Sequence, residues 1–101
     1  MDDLEHNDKI TGVIQRFIAG LPQRLESIKN SVANSNWAEA ELLAHRLAGA
    51  SLFGFPAIGR AAKIVENALA NQQYQILTAT VESLELTTKT ELADKNTSVL
   101  I

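Results

Sequence analysis

This chain of 101 residues contains two histidines, His6 and His45, and no cysteine. The missing thiol excludes disulfides, thiolate metal sites and cysteine nucleophiles together. The two histidines are far apart and lack the ligand spacing of a zinc site. One chemistry open to a histidine is nucleophilic attack by its imidazole. With an unperturbed pKa of about 6.5, the ring is neutral and nucleophilic near pH 7. It can accept a phosphoryl group on nitrogen and give it up to a carboxylate. That chemistry needs the ring exposed, rigidly mounted and free to meet an in-line donor.

His45 has surroundings that suit this. Each helical residue advances by roughly 100°. His45 lies two residues from both Leu43 and Leu47, so it points away from their stripe. Its own face carries Ala38, Glu41, Leu42, Ala48, Gly49 and Leu52. A solvent face usually carries Lys, Glu and Gln, whereas small and apolar residues around one histidine read as a docking surface. Gly49 follows one turn later, although glycine inside a helix costs about 1 kcal/mol relative to alanine. A missing side chain there clears space beside the ring. His6 lies in a polar N-terminal stretch and carries no such pattern. Glu41 is a candidate to polarise the imidazole, and no second titratable group is evidently paired with His45.

The elements that must hold His45 are helices. The stripe Ile10, Val13, Ile14, Phe17, Ile18 and Leu21 has the spacing of an amphipathic helix. Gly20-Leu21-Pro22 interrupts it, and a new helix is predicted from Pro22 with Leu25, Ile28 and Val32 inward. Asn34-Ser35-Asn36 is a turn, and Asn36 with Glu39 forms a capping-box-like start. The next helix runs from Trp37 to about Leu52, with Ala40, Leu43, Ala44, Leu47 and Ala50 inward. Phe53-Gly54-Phe55-Pro56 stops it. A further helix from Pro56 turns Ile58, Ala61, Ala62, Val65, Ala68 and Leu69 inward. A last one, from about Tyr74 to Ala93, buries Leu77, Val81, Leu84 and Thr88. The alanines at 40, 44, 50, 61, 62 and 68 suit close approach of the two central helices. Trp37 reads as a packing residue, and Phe53 and Phe55 as closing the end of the bundle. The expected fold is all-α: an up-and-down antiparallel four-helix bundle with a short additional N-terminal helix. It forms a single domain over residues 1–101, with its core at about 10–93.

Composition narrows the function. Apolar residues make up 46% of the chain, as in an ordinary globular protein. No run of about 18 apolar residues is present, so no membrane span is expected. The start of the chain lacks the pattern of a signal peptide, and a cytoplasmic location is inferred. The net charge of −3, with no basic cluster, argues against nucleic acid as a partner. GxGxxG and GxxxxGK[ST] are both absent, so no nucleotide cofactor is implied.

The stretch LLAHRLAGASLFGFPAIGRAAKIVENAL, residues 42–69, resembles the histidine-containing phosphotransfer (HPt) family. Ala44, His45, Leu47 and Gly49 match its AH-x-L-x-G signature. Phe53, Gly54 and Phe55 resemble its turn, and Val65, Glu66 and Leu69 the end of its second helix. Upstream, Leu21-Pro22 with Arg24-Leu25 resembles a common family start. The resemblance implies that His45 is the phosphoacceptor and that Gly49 keeps it accessible. At Ala48 the chain departs from the lysine many members carry, and Arg46, Arg60 and Lys63 are candidates to replace that charge. Many members also have one more residue before the phenylalanine-glycine turn.

The expected function is a phosphocarrier in a two-component phosphorelay. His45 would accept from a receiver-domain aspartate and pass the group to a second receiver. The chain itself would need no cofactor or metal, since the partner brings Mg²⁺. It would not be an enzyme and would have no autokinase activity. Its partners would be response-regulator receiver domains or a hybrid sensor kinase, bound through Ala38, Leu42, Arg46, Ala48 and Leu52. A monomer is expected. The alternative is an HPt-like adaptor that binds receivers or a kinase without being phosphorylated.

Overall fold

The computed structural model describes the backbone of residues 2–100 and the side chains of residues 12–94. Every element among the described residues is a helix. Helix α1 spans Asp2–Ala33, α2 Trp37–Ala48, α3 Pro56–Ala70 and α4 Leu77–Leu100. Two 3₁₀ segments, Gly49–Phe53 and Tyr74–Ile76, lead into the connections after α2 and before α4. Contacts run from α1 to α2, α2 to α3, α3 to α4, and α4 back to α1. One core lies between them. Its largest fully buried members are Leu21, Ile28, Leu47, Ile58, Val65, Leu77 and Leu84. The six alanines expected at the close approach are all buried.

The separate N-terminal helix does not exist. Pro22 lies inside α1, which runs through it without a break. Phe17, Leu21, Leu25 and Ile28 are all buried. Their spacing keeps them on one face only if the helix is continuous. Proline in a helix interior costs about 3 kcal/mol, less than burying several large apolar side chains returns. Pro22 itself is exposed, so its ring does not displace the core.

The capping box at Asn36 is also absent, since its side chain makes no cap hydrogen bond. The reason lies at the end of α1. Ser35 takes a left-handed φ of 58°. Asn36 N–H then donates to the Ser31 carbonyl at 2.8 Å, and Ser35 N–H to that of Val32 at 3.1 Å. This is the paired closure of a Schellman motif. The Asn36 N–H that Glu39 would have reached is already used. The same closure recurs with Gln72 at φ 57°, where Gln73 N–H reaches the Ala68 carbonyl at 2.8 Å.

Helix α2 stops at Ala48, short of the expected Leu52, and the chain tightens into the first 3₁₀ segment. Such tightening is common at helix C-termini. Gly54 at φ 90° turns the chain, and the buried Phe55 follows. The Phe17 ring stacks on Phe53 at 4.8 Å and on Phe55 at 5.8 Å, closing this end of the core as expected. At the other end Trp37 stacks on Tyr74 at 4.3 Å. The last helix begins at Leu77, after the second 3₁₀ segment, and passes the expected end at Ala93. Thr88 is buried in it and donates its hydroxyl to the Leu84 carbonyl at 2.8 Å.

The N-terminus of α3 is capped from another helix. Pro56 has no N–H to satisfy, and Phe55 supplies no side-chain cap. Instead the Glu91 carboxylate of α4 accepts from Ala57 N–H at 3.1 Å and Ile58 N–H at 2.9 Å. A carboxylate is also favoured there by the helix dipole. Removing it with Glu91→Ala is expected to cost about 1–2 kcal/mol. Urea unfolding should show a lower midpoint with an unchanged slope.

Candidate functional site

His45 is mounted on α2 between two anchors, Ala44 and Leu47, both fully buried. Those anchors fix the helix rotation and send the imidazole outward, with its side chain 65% exposed. The ring is not alone. Its Nδ1 lies 2.6 Å from Oε2 of Glu66 on α3. Glu66 follows the buried Val65, and its side chain is only 13% exposed. The absence of a paired titratable group, expected from the sequence, is therefore corrected: Glu66 is that group, and Glu41 is not. The pairing depends on the register of α2 against α3, which local sequence does not contain.

Lys63, one turn before Glu66, places its Nζ 3.2 Å from Oε1. That oxygen is buried, and the Lys63 ammonium is its charged partner. Three influences set the charge of Glu66. Burial is the largest and pushes its pKa up; the hydrogen bond with His45 and the pull of Lys63 push it down. The downward influences prevail, and the carboxyl is held below its ordinary value. Glu66 is thus ionised at neutral pH and can only accept. Nδ1 must carry the donated proton, which leaves the lone pair of the neutral ring on Nε2.

Gly59 and Gly49 have different reasons to be glycine. A Cβ on Gly59 would fall on the Ser51 hydroxyl and stand 3.0 Å from the Ala48 carbonyl oxygen. Gly59 therefore marks a close approach of α3 to the end of α2 and the 3₁₀ segment after it. A Cβ on Gly49 would meet nothing within 4 Å, and its φ of −67° suits any residue. Neither packing nor backbone conformation requires glycine at position 49.

A shallow hollow beside the ring is lined by Ala38, Glu41, Leu42, His45 and Glu66. It brings Ala38 and Leu42 of the expected docking residues to His45. Arg46, Ala48 and Leu52 lie outside it. Ala48 is half-buried and Arg46 exposed, while Leu52, in the 3₁₀ segment, is 88% exposed. Among the described residues no cluster of His, Cys, Asp and Glu could hold a metal. No helix there is long and apolar enough to cross a membrane. The side chain of His6 lies outside the described residues.

The sequence model of the Hpt domain matches residues 12–96. The chain belongs to the Hpt domain family. No curated protein and no solved structure is similar enough to match. Hpt domains are phosphocarriers of two-component phosphorelays and work with receiver domains and kinases. In this Hpt domain the described surface offers one exposed histidine, His45, with its orientation fixed by a carboxylate.

The depressed pKa of Glu66 has a consequence for stability. A carboxyl whose folded pKa lies below its unfolded value stabilises the fold fully above the unfolded value, about 4.3. That contribution is lost as the pH falls through the folded value. Glu66→Gln cannot titrate. The stability gap between wild type and Glu66→Gln is therefore expected to shrink steadily below about pH 5. Urea unfolding of both proteins across that range measures it.

Proposed function

We propose that His45 is the phosphoacceptor of this Hpt domain, receiving from a receiver-domain aspartyl phosphate and delivering to a second receiver. The observation that carries the reading is the 2.6 Å contact from Nδ1 to an ionised Glu66. It directs the Nε2 lone pair of an exposed ring outward.

The step balances without a proton transfer. The Nε2 lone pair attacks phosphorus, the P–O bond to the donor aspartate breaks, and the aspartate leaves as carboxylate. The ring becomes an N-phosphorylated imidazolium with its proton still on Nδ1. Glu66 faces that positive charge, a stronger interaction than with the neutral ring. In the reverse step an acceptor carboxylate attacks phosphorus, the N–P bond breaks, and the electron pair returns to Nε2. Glu66 keeps the ring in one tautomer throughout. It acts as a positioning residue, and the Mg²⁺ of the reaction comes with the receiver.

Gly49 serves access. The open space above it supports leaving room for the receiver's loops. Ala38, Leu42, Arg46, Ala48 and Leu52 form the proposed docking face, with the exposed Leu42 and Leu52 as its apolar anchors. The helices are proposed to run up and down, an arrangement supported by the short connections between them. No cofactor is needed, and the domain works as a monomer.

The central test is transfer of label from a phosphorylated receiver to wild type and His45→Gln. Wild type alone is expected to carry acid-labile, base-stable label. Binding of receivers without any label would favour the adaptor reading. Leu42→Glu should slow transfer while leaving the fold intact; unchanged rates would remove it from the docking face. Gly49→Ala should leave stability unchanged or raise it by up to about 1 kcal/mol, yet slow transfer. Stopped-flow transfer kinetics beside urea unfolding would separate the two effects.

A further inference from the structure

The hollow at His45 presents two carboxylates, Glu41 and Glu66, and no cation. A phosphoryl group on the ring would bring a further charge of about −2. Gathering such like charges disfavours the loaded state unless a cation joins them. Among the described residues, Lys63 is the basic side chain paired with Glu66.

Its position follows from the register of the two helices. His45 meets Glu66, and Gly59 lies against Ala48 and Ser51. Numbers rise along α2 as they fall along α3. Lys63, between Glu66 and Gly59, therefore stands across from the turn of α2 that follows His45. Ala48 in that turn offers a methyl group and no charge of its own. The Lys63 side chain is 56% exposed, and its ammonium meets Oε1 at 3.2 Å. Glu66 is mostly buried, so the departure of Lys63 has a cost, which the new positive charge on the ring offsets. A phosphoryl group offers more negative charge and three acceptor oxygens.

Resting on the phosphocarrier reading of His45, we infer that Lys63 is the counter-charge of the loaded state, moving from Glu66 to the phosphoryl oxygens on Nε2. It forms no covalent bond and moves no proton. Each cation then faces an anion, and the net negative charge of the site falls. Lys63 faces the phosphoryl group, and Glu66 faces the imidazolium Nδ1–H. When the group leaves, the ring returns to neutral and Lys63 returns to Glu66. The charge needed at the phosphoryl group is thus supplied from the opposite helix.

The test compares wild type, Lys63→Ala, Lys63→Arg and the double variant Lys63→Ala with Ala48→Lys. Each is equilibrated with a labelled receiver, and the labelled fraction and its decay after receiver removal are followed. Lys63→Ala is expected to lower the ratio of loaded to unloaded His45 by about fivefold. Lys63→Arg should stay near wild type. The double variant should recover most of the loss, which a lysine needed only for folding would not allow. Lys63→Ala that loads and decays like wild type, with an unchanged circular dichroism spectrum, would overturn the inference and leave the phosphocarrier reading standing. Wild type that takes no label from any receiver would overturn that reading, and this inference with it.

Discussion

The site depends on how closely α2 and α3 can approach. Ala40 and Ala44 on one helix meet a partner that carries Ala61, Ala62 and Ala68, all buried. Gly59 lets the backbones close in where any Cβ would strike Ser51. Small residues allow short interaxial distances, and density in the interior is kept by backbone against methyl. Glutamate and histidine are both short. They bridge two helices at 2.6 Å because those helices are close and in a fixed register. The same packing that makes the core therefore sets the ring's orientation, with no loop involved in the positioning.

The charge on Glu66 matters as much as its location. A mostly buried carboxyl tends to take up a proton. If Glu66 did so, it would become a donor, and Nδ1 would have to accept. The proton of the neutral ring would then sit on Nε2, where a nucleophile needs its lone pair. Lys63 and His45, acting on separate oxygens of one carboxylate, prevent that by offsetting burial. Both contacts thus favour the ionised carboxylate, which accepts from Nδ1.

Most of the helical pattern is legible in the sequence because burial follows the 3.6-residue period, as at Ile58, Ala62, Val65 and Leu69. The errors arise where a local signal competes with a non-local one. Pro22 carries a strong stop signal, yet four buried residues spanning it require one unbroken face. Asn36 looks like a cap, yet its N–H is committed to Ser31 before Glu39 can reach it. The cap that does form, from Glu91 to Ala57 and Ile58, joins residues more than thirty apart. No windowed reading of propensity or capping boxes can find it.

Reading the site meets the same boundary. His45 stands out because its own helix face is small and apolar, which is a local property. Glu66 does not, since a glutamate beside a core valine is ordinarily a solvated flank. The two helical glycines make the point most directly. In sequence, Gly49 and Gly59 each sit among alanines at a similar cost to the helix. Their neighbours in space separate them: at Gly59 a Cβ would fall on the Ser51 hydroxyl and crowd the Ala48 carbonyl, and at Gly49 it would meet nothing. A glycine that the fold does not require, one turn from the proposed phosphoacceptor, suits the access proposed for a second protein.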